Sequence, residues 1–231
     1  MSPVSQSDRS FDQIAVNFDR FAELVGGPLS QYLDSVFPPA GKRAIDLGCG
    51  SGHHAAMLAH RYREVVGVDI SVPMLEIARA RRAFANVSYA ERDLRSVRPD
   101  TDGTFDLVFS AYALHHVDDL EQALRGIRDL LAPGGRVVLV DNVASRRAVP
   151  RGWFIRQAVQ ILAGDLLRRR RPAPEALELF RLNTHPAWLD HVTSDRFLNP
   201  TEFEQRYGSV FPGARYTDMY RARAMHWDAP K

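Results

Sequence analysis

The sequence contains almost no cysteine and no long apolar run. Cys49 is the single cysteine among 231 residues, so no intramolecular disulfide can form, and a reducing compartment suits such a chain. A membrane-spanning helix needs about 18 consecutive apolar residues, and no stretch of the sequence is that long. Residues 1–10 lack the basic and then apolar pattern of a secretory signal. These absences predict a cytoplasmic protein that is neither exported nor inserted into a membrane.

The chain also lacks an excess of charge of one sign. It has 30 basic and 28 acidic residues, which gives a formal net charge of +2. Binding of nucleic acid or anionic lipid would need a concentrated basic field, so the overall charge gives no drive toward either, and nucleic acid is not expected as a partner. The arginine run from Arg168 to Arg171 lies beside Pro172 without interleaved aromatic residues, a pattern typical of a solvated loop.

The distribution of apolar residues predicts an α/β domain with an added lid, and 231 residues suffice for one. Between residues 42 and 143, short apolar runs alternate with segments of helical periodicity, which predicts βαβ units in a mostly parallel, doubly wound sheet. The predicted strands span 43–47, 65–69, 87–91, 105–110 and 136–141, and the predicted helices span 53–62, 72–84 and 119–131. Residues 214–227 predict a closing antiparallel pair of strands.

The chain is expected to divide into four parts. These are a helical cover at 1–40, an α/β core at 41–143, a helical lid inserted at 144–200, and a final helix with the closing strands at 201–231. The first helix is indicated by the helical spacing of Phe11, Ile14, Phe18 and Phe21. Thr201 is the predicted N-cap of the final helix.

A glycine-rich turn follows the first predicted strand, in Asp46-Leu47-Gly48-Cys49-Gly50-Ser51-Gly52. Glycines let the backbone turn tightly and approach a ligand, and free amide groups at the start of the next helix favour a negative ligand group. The dinucleotide fingerprint G-x-G-x-x-G would need its third glycine at the position of His53. The turn therefore argues for a cofactor other than a nicotinamide dinucleotide.

The spacing Asp46-x-Gly48-x-Gly50-x-Gly52 resembles the first motif of class I S-adenosylmethionine (SAM) dependent methyltransferases, and the resemblance extends from Ala44 to Asp141. In general layout the chain is similar to the small-molecule, ubiquinone/menaquinone-biosynthesis-like group, methyltransferase type 11. The resemblance implies a Rossmann-like, doubly wound sheet of seven strands with an antiparallel final strand and a helical lid. It also implies SAM as the cofactor, with Gly48, Gly50 and Gly52 against its methionine part and Asp46 near its amino group.

The same resemblance assigns further residues to the cofactor. Asp69 closes the second strand about twenty residues after the glycines, where a carboxylate can accept hydrogen bonds from both ribose hydroxyls. The other implied contacts are Ile70 and Met74 beside the adenine, Asp93 and Leu94 at its amino group and ring nitrogen, and Ser110 and Ala111 beside the sulfonium. Ile70 and Met74 would look the same as residues of the core.

Two histidines are candidates for a general base. His115 follows the fourth strand, in a loop that faces the site in this fold, and His191 lies in the lid; histidine changes protonation near neutral pH. The alternative role for His115, and the more common one for such a residue, is local packing or capping of a turn. His53 and His54 lack further ligands at a suitable spacing and are interpreted as surface residues at a helix start. No metal is therefore expected.

Together these patterns predict transfer of a methyl group from SAM to an oxygen, nitrogen or carbon atom of a small, partly hydrophobic molecule by in-line displacement. The alternatives are an NAD-dependent oxidoreductase on the same fold and a non-catalytic SAM-binding regulatory protein. RNA methylation is disfavoured by the balanced charge and by the absence of an Asn/Asp-Pro-Pro-Tyr/Phe motif after the fourth strand. A monomer or a homodimer is expected.

Overall fold

The computed structural model describes residue 12 and residues 14–145, 149–219 and 221–231. Seven strands in these ranges form one sheet. The strands are β1 (Gly41–Leu47), β2 (Tyr62–Asp69), β3 (Val87–Glu91), β4 (Phe105–Ala111), β5 (Leu131–Asn142), β6 (Arg215–Met219) and β7 (Ala222–Asp228).

The sheet has the strand order β3-β2-β1-β4-β5-β7-β6. Strands β1 to β5 run parallel, and β7 runs antiparallel to both β5 and β6. The order reverses between β1 and β4, and ligands of such sheets bind beyond the carboxyl ends of the strands at this switch point. The predicted Rossmann-like fold class, with an antiparallel final strand, is confirmed.

Helices cover both faces of the sheet and its carboxyl edge. They are α1 (Ala15–Val25), α2 (Gly27–Val36), α3 (His53–Ala59), α4 (Val72–Arg81), α5 (Pro99–Asp102), α6 (Leu120–Asp129), α7 (Arg151–Leu167), α8 (Ala173–Thr184), α9 (Pro186–Ser194) and α10 (Pro200–Val210). Two short 3₁₀ helices, Leu94–Ser96 and Leu114–His116, follow β3 and β4. Within the described ranges, none of the helices combines the length and the apolar character needed to cross a membrane.

Side-chain alternation places the two faces of β1 in different hydrophobic clusters. Ile45 and Leu47 belong to a cluster that includes residues of α6 and α10, whereas Ala44 belongs to a cluster with residues of α2 and α3. All three side chains are at most 1% exposed. A parallel strand buried on both faces needs apolar residues on both, which is why the central strands read as apolar runs. The buried sheet therefore holds the strand ends, and the loops that follow them, in place.

The start of α10 differs from the sequence prediction. The N-cap of α10 is Asn199, so the prediction of Thr201 was wrong. Asn199 accepts a hydrogen bond from the Glu202 amide, and the Glu202 carboxylate accepts one from the Asn199 amide. This capping box leaves Pro200 at the first helical position, where no N–H is needed. Phe11, predicted on the first helix, lies outside the described residues.

Candidate functional site

A cavity of about 1190 Å³ lies over the carboxyl ends of β1, β2 and β4. The loops after these strands border it, and so do residues of α1 and of the lid helices α7, α8 and α9. The cavity therefore occupies the switch point between β1 and β4, the position that the sheet topology favours for a ligand.

The loop after β1 presents its backbone to this cavity. Gly48 and Gly50 have φ angles of 74° and 51°, in the left-handed region that favours glycine. A Cβ on Gly48 would lie 2.4 Å from the Cβ of Ala113, whereas a Cβ on Gly50 would meet nothing within 4 Å. The open space beside Gly50 is thus a cradle in which a ligand can approach bare backbone.

Asp69 ends β2 at the edge of the glycine loop. One of its carboxylate oxygens accepts a hydrogen bond from the Gly50 amide at 2.7 Å, and the other accepts one from the Ser71 amide at 2.9 Å. Burial raises the pKa of Asp69, and these hydrogen bonds oppose that shift. Asp69 borders the cavity, and a carboxylate has lone pairs left for further donors. Its position suits the ribose contact that the resemblance implies.

Asp46 lies behind the lining of the cavity and is 1% exposed. Neither of its carboxylate oxygens makes a well-formed hydrogen bond to a described residue, although the Ala55 amide lies close enough to lower the pKa of Asp46 slightly. Burial, and then the nearby charge of Asp69, raises the pKa of Asp46 to about 8. Burial thus favours the neutral acid, whereas a cationic ligand group, reached directly or through water, would favour the carboxylate and pair with it. These oxygens and the cradle beside Gly50 fit a ligand that carries an ammonium group, as SAM does.

The four residues implied at the adenine all border the cavity: Ile70, Met74, Asp93 and Leu94. Asp93 accepts a hydrogen bond from the Arg95 amide at 2.8 Å and pairs with the Arg95 guanidinium at 2.6 Å. Burial raises the pKa of Asp93, but the contacts with Arg95 outweigh burial and lower it overall. Asp93 is therefore ionised near neutral pH, and an adenine amino group would share it with Arg95.

Two other implied cofactor contacts, Gly52 and Ser110, do not border the cavity. Ser110 is fully buried and donates its hydroxyl to the Leu47 carbonyl at 2.7 Å, which ties β4 to β1. A Cβ on Gly52 would lie 2.6 Å from the Tyr89 hydroxyl, so packing accounts for that glycine. Ala111, which follows Ser110, does border the cavity. Gly52 and Ser110 thus support the site from behind.

A carboxylate on the neighbouring strand holds His115. His115 lies in the 3₁₀ helix after β4, and Asp141 lies near the end of β5, which pairs with β4. His115 Nδ1 is 2.5 Å from Asp141 Oδ1, and both side chains are at most 5% exposed. Burial would lower the pKa of His115, but the charge and hydrogen bond of Asp141 raise it above its ordinary value. With Nδ1–H donated to Asp141, neutral His115 presents Nε2 as an acceptor.

His116, His191 and Asp195 surround His115 at the cavity. The ring centroids of His115 and His116 are 4.0 Å apart, and those of His116 and His191 are 5.4 Å apart. Burial, and then the charge of His115, lowers the pKa of His116 to about 2 and that of His191 to about 4. Burial raises the pKa of Asp195 to about 6. Among these three histidines, His115 is the one that takes up a proton most readily.

His115, His116 and Asp195 also have a spacing that metal ligands use. One ligand atom from each lies within 4.8 Å of the others, and two imidazoles with a carboxylate suit a divalent transition metal. The sequence alone does not reveal this group, because Asp195 lies far along the chain from the histidines. Metal binding and proton transfer by His115 are competing uses of the same atoms.

Asp19 on α1 is a buried carboxylate that the sequence did not single out. It is 1% exposed and lies 2.9 Å from His53 Nε2, 2.6 Å from Arg81 and 2.8 Å from Arg82. Burial raises its pKa, but the Ser51 hydroxyl and then Arg82 and His53 outweigh burial and lower it overall. These contacts join α1 to α3 and α4. His53 begins α3, as predicted, but its side chain is partly buried against Asp19 and does not lie free at the surface. The available signal was the position of Asp19 four residues after Ala15, on the buried side of an amphipathic helix.

Tyr112 is a second residue that the sequence analysis did not identify. Its φ is 57°, a backbone conformation that costs a non-glycine residue about 1–3 kcal/mol and is found mainly at functional sites. Tyr112 borders the cavity between Ala111 and His115. Burial raises its pKa to about 12, so the phenol stays neutral and can donate or accept a hydrogen bond beside His115.

Comparison with known proteins identifies the family. Residues 45–139 match the family model described as methyltransferase domain. The chain is 34% identical over 230 residues to trans-aconitate 2-methyltransferase of Methylobacterium radiotolerans, covering 87% of each protein. It is 32% identical over 205 residues to demethylmenaquinone methyltransferase of Clavibacter sepedonicus, covering 86% of this chain and 82% of the relative. A match to an uncharacterized methyltransferase of Mycobacterium bovis is 38% identical over 111 residues, which is 48% of this chain and only 56% of the relative's length.

Solved structures share the fold at lower identity. An S-adenosylmethionine dependent methyltransferase from Mesorhizobium loti matches with a TM-score of 0.60 at 21% identity, covering 89% of this chain and 99% of the other. The N-methyltransferase NodS from Bradyrhizobium japonicum, in complex with S-adenosyl-L-homocysteine, matches with a TM-score of 0.53 at 16% identity, covering 92% and 87%. The extended identity to curated methyltransferases, on this fold, shows that the chain belongs to the class I SAM-dependent methyltransferase family.

Proposed function

We propose that the protein transfers the methyl group of SAM to an oxygen, nitrogen or carbon atom of a small, partly apolar molecule. One observation carries the proposal: a single cavity is bordered both by the glycine loop with Asp69 and by His115, which Asp141 holds. Methylation of an acceptor that must lose a proton needs a cofactor site and a proton acceptor in one enclosed space.

The described residues fit SAM, the methyl donor of the family. The backbone at Gly48 and Gly50 would contact its methionine part, Asp46 its amino group, Asp69 its ribose hydroxyls and Asp93 its adenine amino group. When bound, SAM supplies a methyl group that is already activated on a sulfonium. The protein has to hold the acceptor atom in line with that methyl group, and such positioning contributes about 7–11 kcal/mol in favourable systems.

The part of the cavity beneath the lid is rich in apolar groups. The Trp188 ring of α9 lies 6.0 Å from Phe18 and 5.1 Å from Phe21 of α1, measured between centroids, and Ile161 and Phe197 also border the cavity. Such walls bind an apolar molecule by removing its surface from water. The names of two relatives give different acceptors, trans-aconitate and demethylmenaquinone. The apolar wall, and not a name, therefore supports the proposed class of acceptor.

His115 is the proposed general base, and Asp141 is its positioning residue. His115 Nε2 lies 3.7 Å from Asp195 Oδ2, too far for a hydrogen bond, so this nitrogen can take the proton of an acceptor hydroxyl or acidic carbon. The Asp141 carboxylate would stabilise the imidazolium that forms. His191, which its lowered pKa keeps neutral, is proposed to orient the acceptor from the lid through a hydrogen bond.

Calorimetric titration with SAM tests the cofactor assignment. We expect micromolar-range binding by the wild-type chain and none by Asp69→Ala, because that variant lacks the acceptor for the ribose hydroxyls. Asp118→Asn, at an exposed acid, is the matched control and should bind SAM normally. Binding of NADH in place of SAM would establish the oxidoreductase alternative. SAM binding without methylation of any phenol, quinol or carboxylic acid in an acceptor panel would favour the regulatory alternative.

Treatment with a chelator distinguishes a role of His115 as general base from a role as metal ligand. We expect His115→Ala to lower kcat by about 10²–10⁴-fold, His60→Ala at an exposed histidine to leave it unchanged, and EDTA to have no effect on the wild type. If EDTA abolishes activity and zinc or manganese restores it, His115 acts as a metal ligand and the proposed base role is wrong.

A further inference from the structure

The outward side of α7 carries large apolar side chains that the described residues leave about half exposed. Ile155, Val159 and Leu166 are 40%, 50% and 43% exposed, and Leu167 at the helix end is 84% exposed. The first three are separated by four and seven residues, which places them along one stripe of an α-helix; we call them the α7 stripe. Of the six large apolar residues that are exposed in the described ranges, four belong to α7. Exposed apolar groups concentrated in this way mark an interaction surface.

The opposite side of α7 already has a role in this fold. Phe154, Gln157 and Ile161 of that side border the cavity, and Phe154 belongs to the small hydrophobic cluster of the lid. Packing within the chain therefore explains the inner side of α7. It does not explain the α7 stripe, which faces solvent.

Exposed arginines flank the α7 stripe at both ends. Arg151 and Arg156 lie in the first turns of α7, and Arg168 to Arg170 follow its last residue. Arg151 pairs with Asp190, whereas Asp165, the acidic residue of α7, is 6% exposed and faces inward. The near-neutral charge of the whole chain thus conceals a local excess of positive charge around an apolar stripe.

We propose that the α7 stripe docks on the surface of an anionic lipid bilayer, with α7 lying in the plane of the membrane. The apolar side chains would enter the boundary between headgroups and acyl chains, and the flanking arginines would pair with anionic headgroups. This combination of an apolar face with basic residues is the one by which interfacial helices bind such membranes. Docking in this way involves no spanning segment.

A second copy of the chain is the competing occupant, and charge argues against it. Two α7 helices packed antiparallel about a two-fold axis would bring Arg151 and Arg156 of one copy close to Arg168 to Arg170 of the other. Like charges at such an interface oppose association. A bilayer with anionic headgroups instead supplies the opposite charge.

Docking would also place the cavity beneath α7 close to the bilayer. An apolar acceptor dissolved in the membrane could then enter without crossing much water. This step rests on the proposed function, whereas the docking itself does not.

Co-sedimentation with vesicles tests the apolar part of the proposal. The full chain should bind vesicles of phosphatidylcholine and phosphatidylglycerol in equal parts, and it should bind pure phosphatidylcholine at least about tenfold more weakly. The double variant Val159→Ser with Leu166→Ser should bind the mixed vesicles about tenfold more weakly than the wild type. Val16→Ser, at a valine of α1 that is 67% exposed, is the matched control and should bind as the wild type does.

A second pair of variants tests the basic part. Arg156→Gln with Arg168→Gln should weaken binding to the mixed vesicles about tenfold and reduce its dependence on sodium chloride. Arg206→Gln, at an exposed arginine of α10, should change neither quantity. A SAM titration of every variant checks that the fold and the cofactor site are intact.

Three results would overturn the proposal. The first is absence of binding to the mixed vesicles, and the second is undiminished binding by the Val159→Ser, Leu166→Ser variant. The third is a wild-type dimer in sedimentation velocity that this variant loses, without vesicle binding, which would assign the α7 stripe to a second copy of the chain. Intact SAM binding and methyl transfer in any of these cases would leave the proposed function standing.

Discussion

The sheet and the lid bury their side chains to very different extents. Two large clusters on the faces of the sheet contain many fully buried residues. The lid has a cluster of only four buried residues, Phe154, Leu189, Val192 and Phe197, and α7 exposes several large apolar side chains. The part of the cavity proposed for the cofactor thus rests on densely packed strand ends, whereas the part proposed for the acceptor is bordered by helices with a small core of their own. The first part is therefore expected to be the more rigid of the two.

The largest expected effect tests that difference in packing. Phe109 is fully buried and contacts Phe37 and His54 at centroid distances of 5.3 and 5.0 Å. Phe109→Ala should lower the free energy of unfolding by about 4 kcal/mol, since the sheet cannot collapse around the missing ring. Phe197→Ala in the lid cluster should cost less than half as much. Urea denaturation measures both changes. Equal losses in the free energy of unfolding would show that sheet and lid are packed equally well.

The next effect concerns the point at which the sheet meets the lid. Asp141→Asn should lower kcat about 100-fold, because His115 loses the carboxylate that orients it. Neutral His115 is the proposed base, so wild-type activity should rise with pH through its raised pKa. Without the carboxylate that pKa falls, and the rising limb of kcat/KM should move to lower pH. Asp218→Asn, at an exposed acid of β6, should leave the pH profile of kcat/KM unchanged. If the rising limb of Asp141→Asn does not move either, Asp141 does not set the pKa of His115.

A smaller effect is expected where α1 joins the sheet half. Asp19→Asn should lower the free energy of unfolding by about 2 kcal/mol, because a buried charged acceptor of Arg82 and His53 is lost. The pKa of Asp19 is lowered from its ordinary value of 3.8, so its contribution is present above that pH and is lost as pH falls through the folded-state pKa. Urea curves across the acid range should therefore decline less steeply for Asp19→Asn than for the wild type. Parallel declines would contradict this role.

The smallest expected effect separates the two sides of α7. Ile161→Ala, on the side that borders the cavity, should raise the KM of an apolar acceptor about fivefold and leave the dissociation constant of SAM unchanged. Ile155→Ala makes the same substitution on the same helix, at a side chain that faces solvent, and should alter neither constant in an assay without lipid. Loss of SAM affinity in Ile161→Ala would show that the lid also shapes the cofactor half.

Local features of the sequence predicted the parts of the site that one strand and its following loop determine. Gly48, Gly50 and Asp69 stand directly after β1 and β2, so their meeting at the switch point follows from the βαβ pattern. The pairing of Asp141 with His115 was not predicted, since it depends on β5 lying beside β4. Asp195 comes from the end of α9, and no local pattern shows that the lid brings it there.

Some residues that were predicted to contact the cofactor make polar contacts with neighbouring residues of the protein. Ser110 was expected beside the cofactor, yet its hydroxyl is used between β4 and β1. Asp93 was expected to face the adenine, and it is also engaged by Arg95. Periodicity identifies which side chains are buried, but not which neighbour uses each polar group.

Helix α1 belongs to both halves of the cavity. Asp19 ties it to α3 and α4 beside the glycine loop, and Phe18 and Phe21 of the same helix form part of the wall that meets Trp188. A ligand that fixes the position of α1 at one end of the cavity therefore also fixes it at the other end. Thermodynamic linkage requires each ligand to change the affinity for the other by the same factor. SAM should tighten acceptor binding by the same factor by which the acceptor tightens SAM binding. Titrations of each ligand with and without the other would measure that factor, and a factor of one would show that α1 does not connect the two halves.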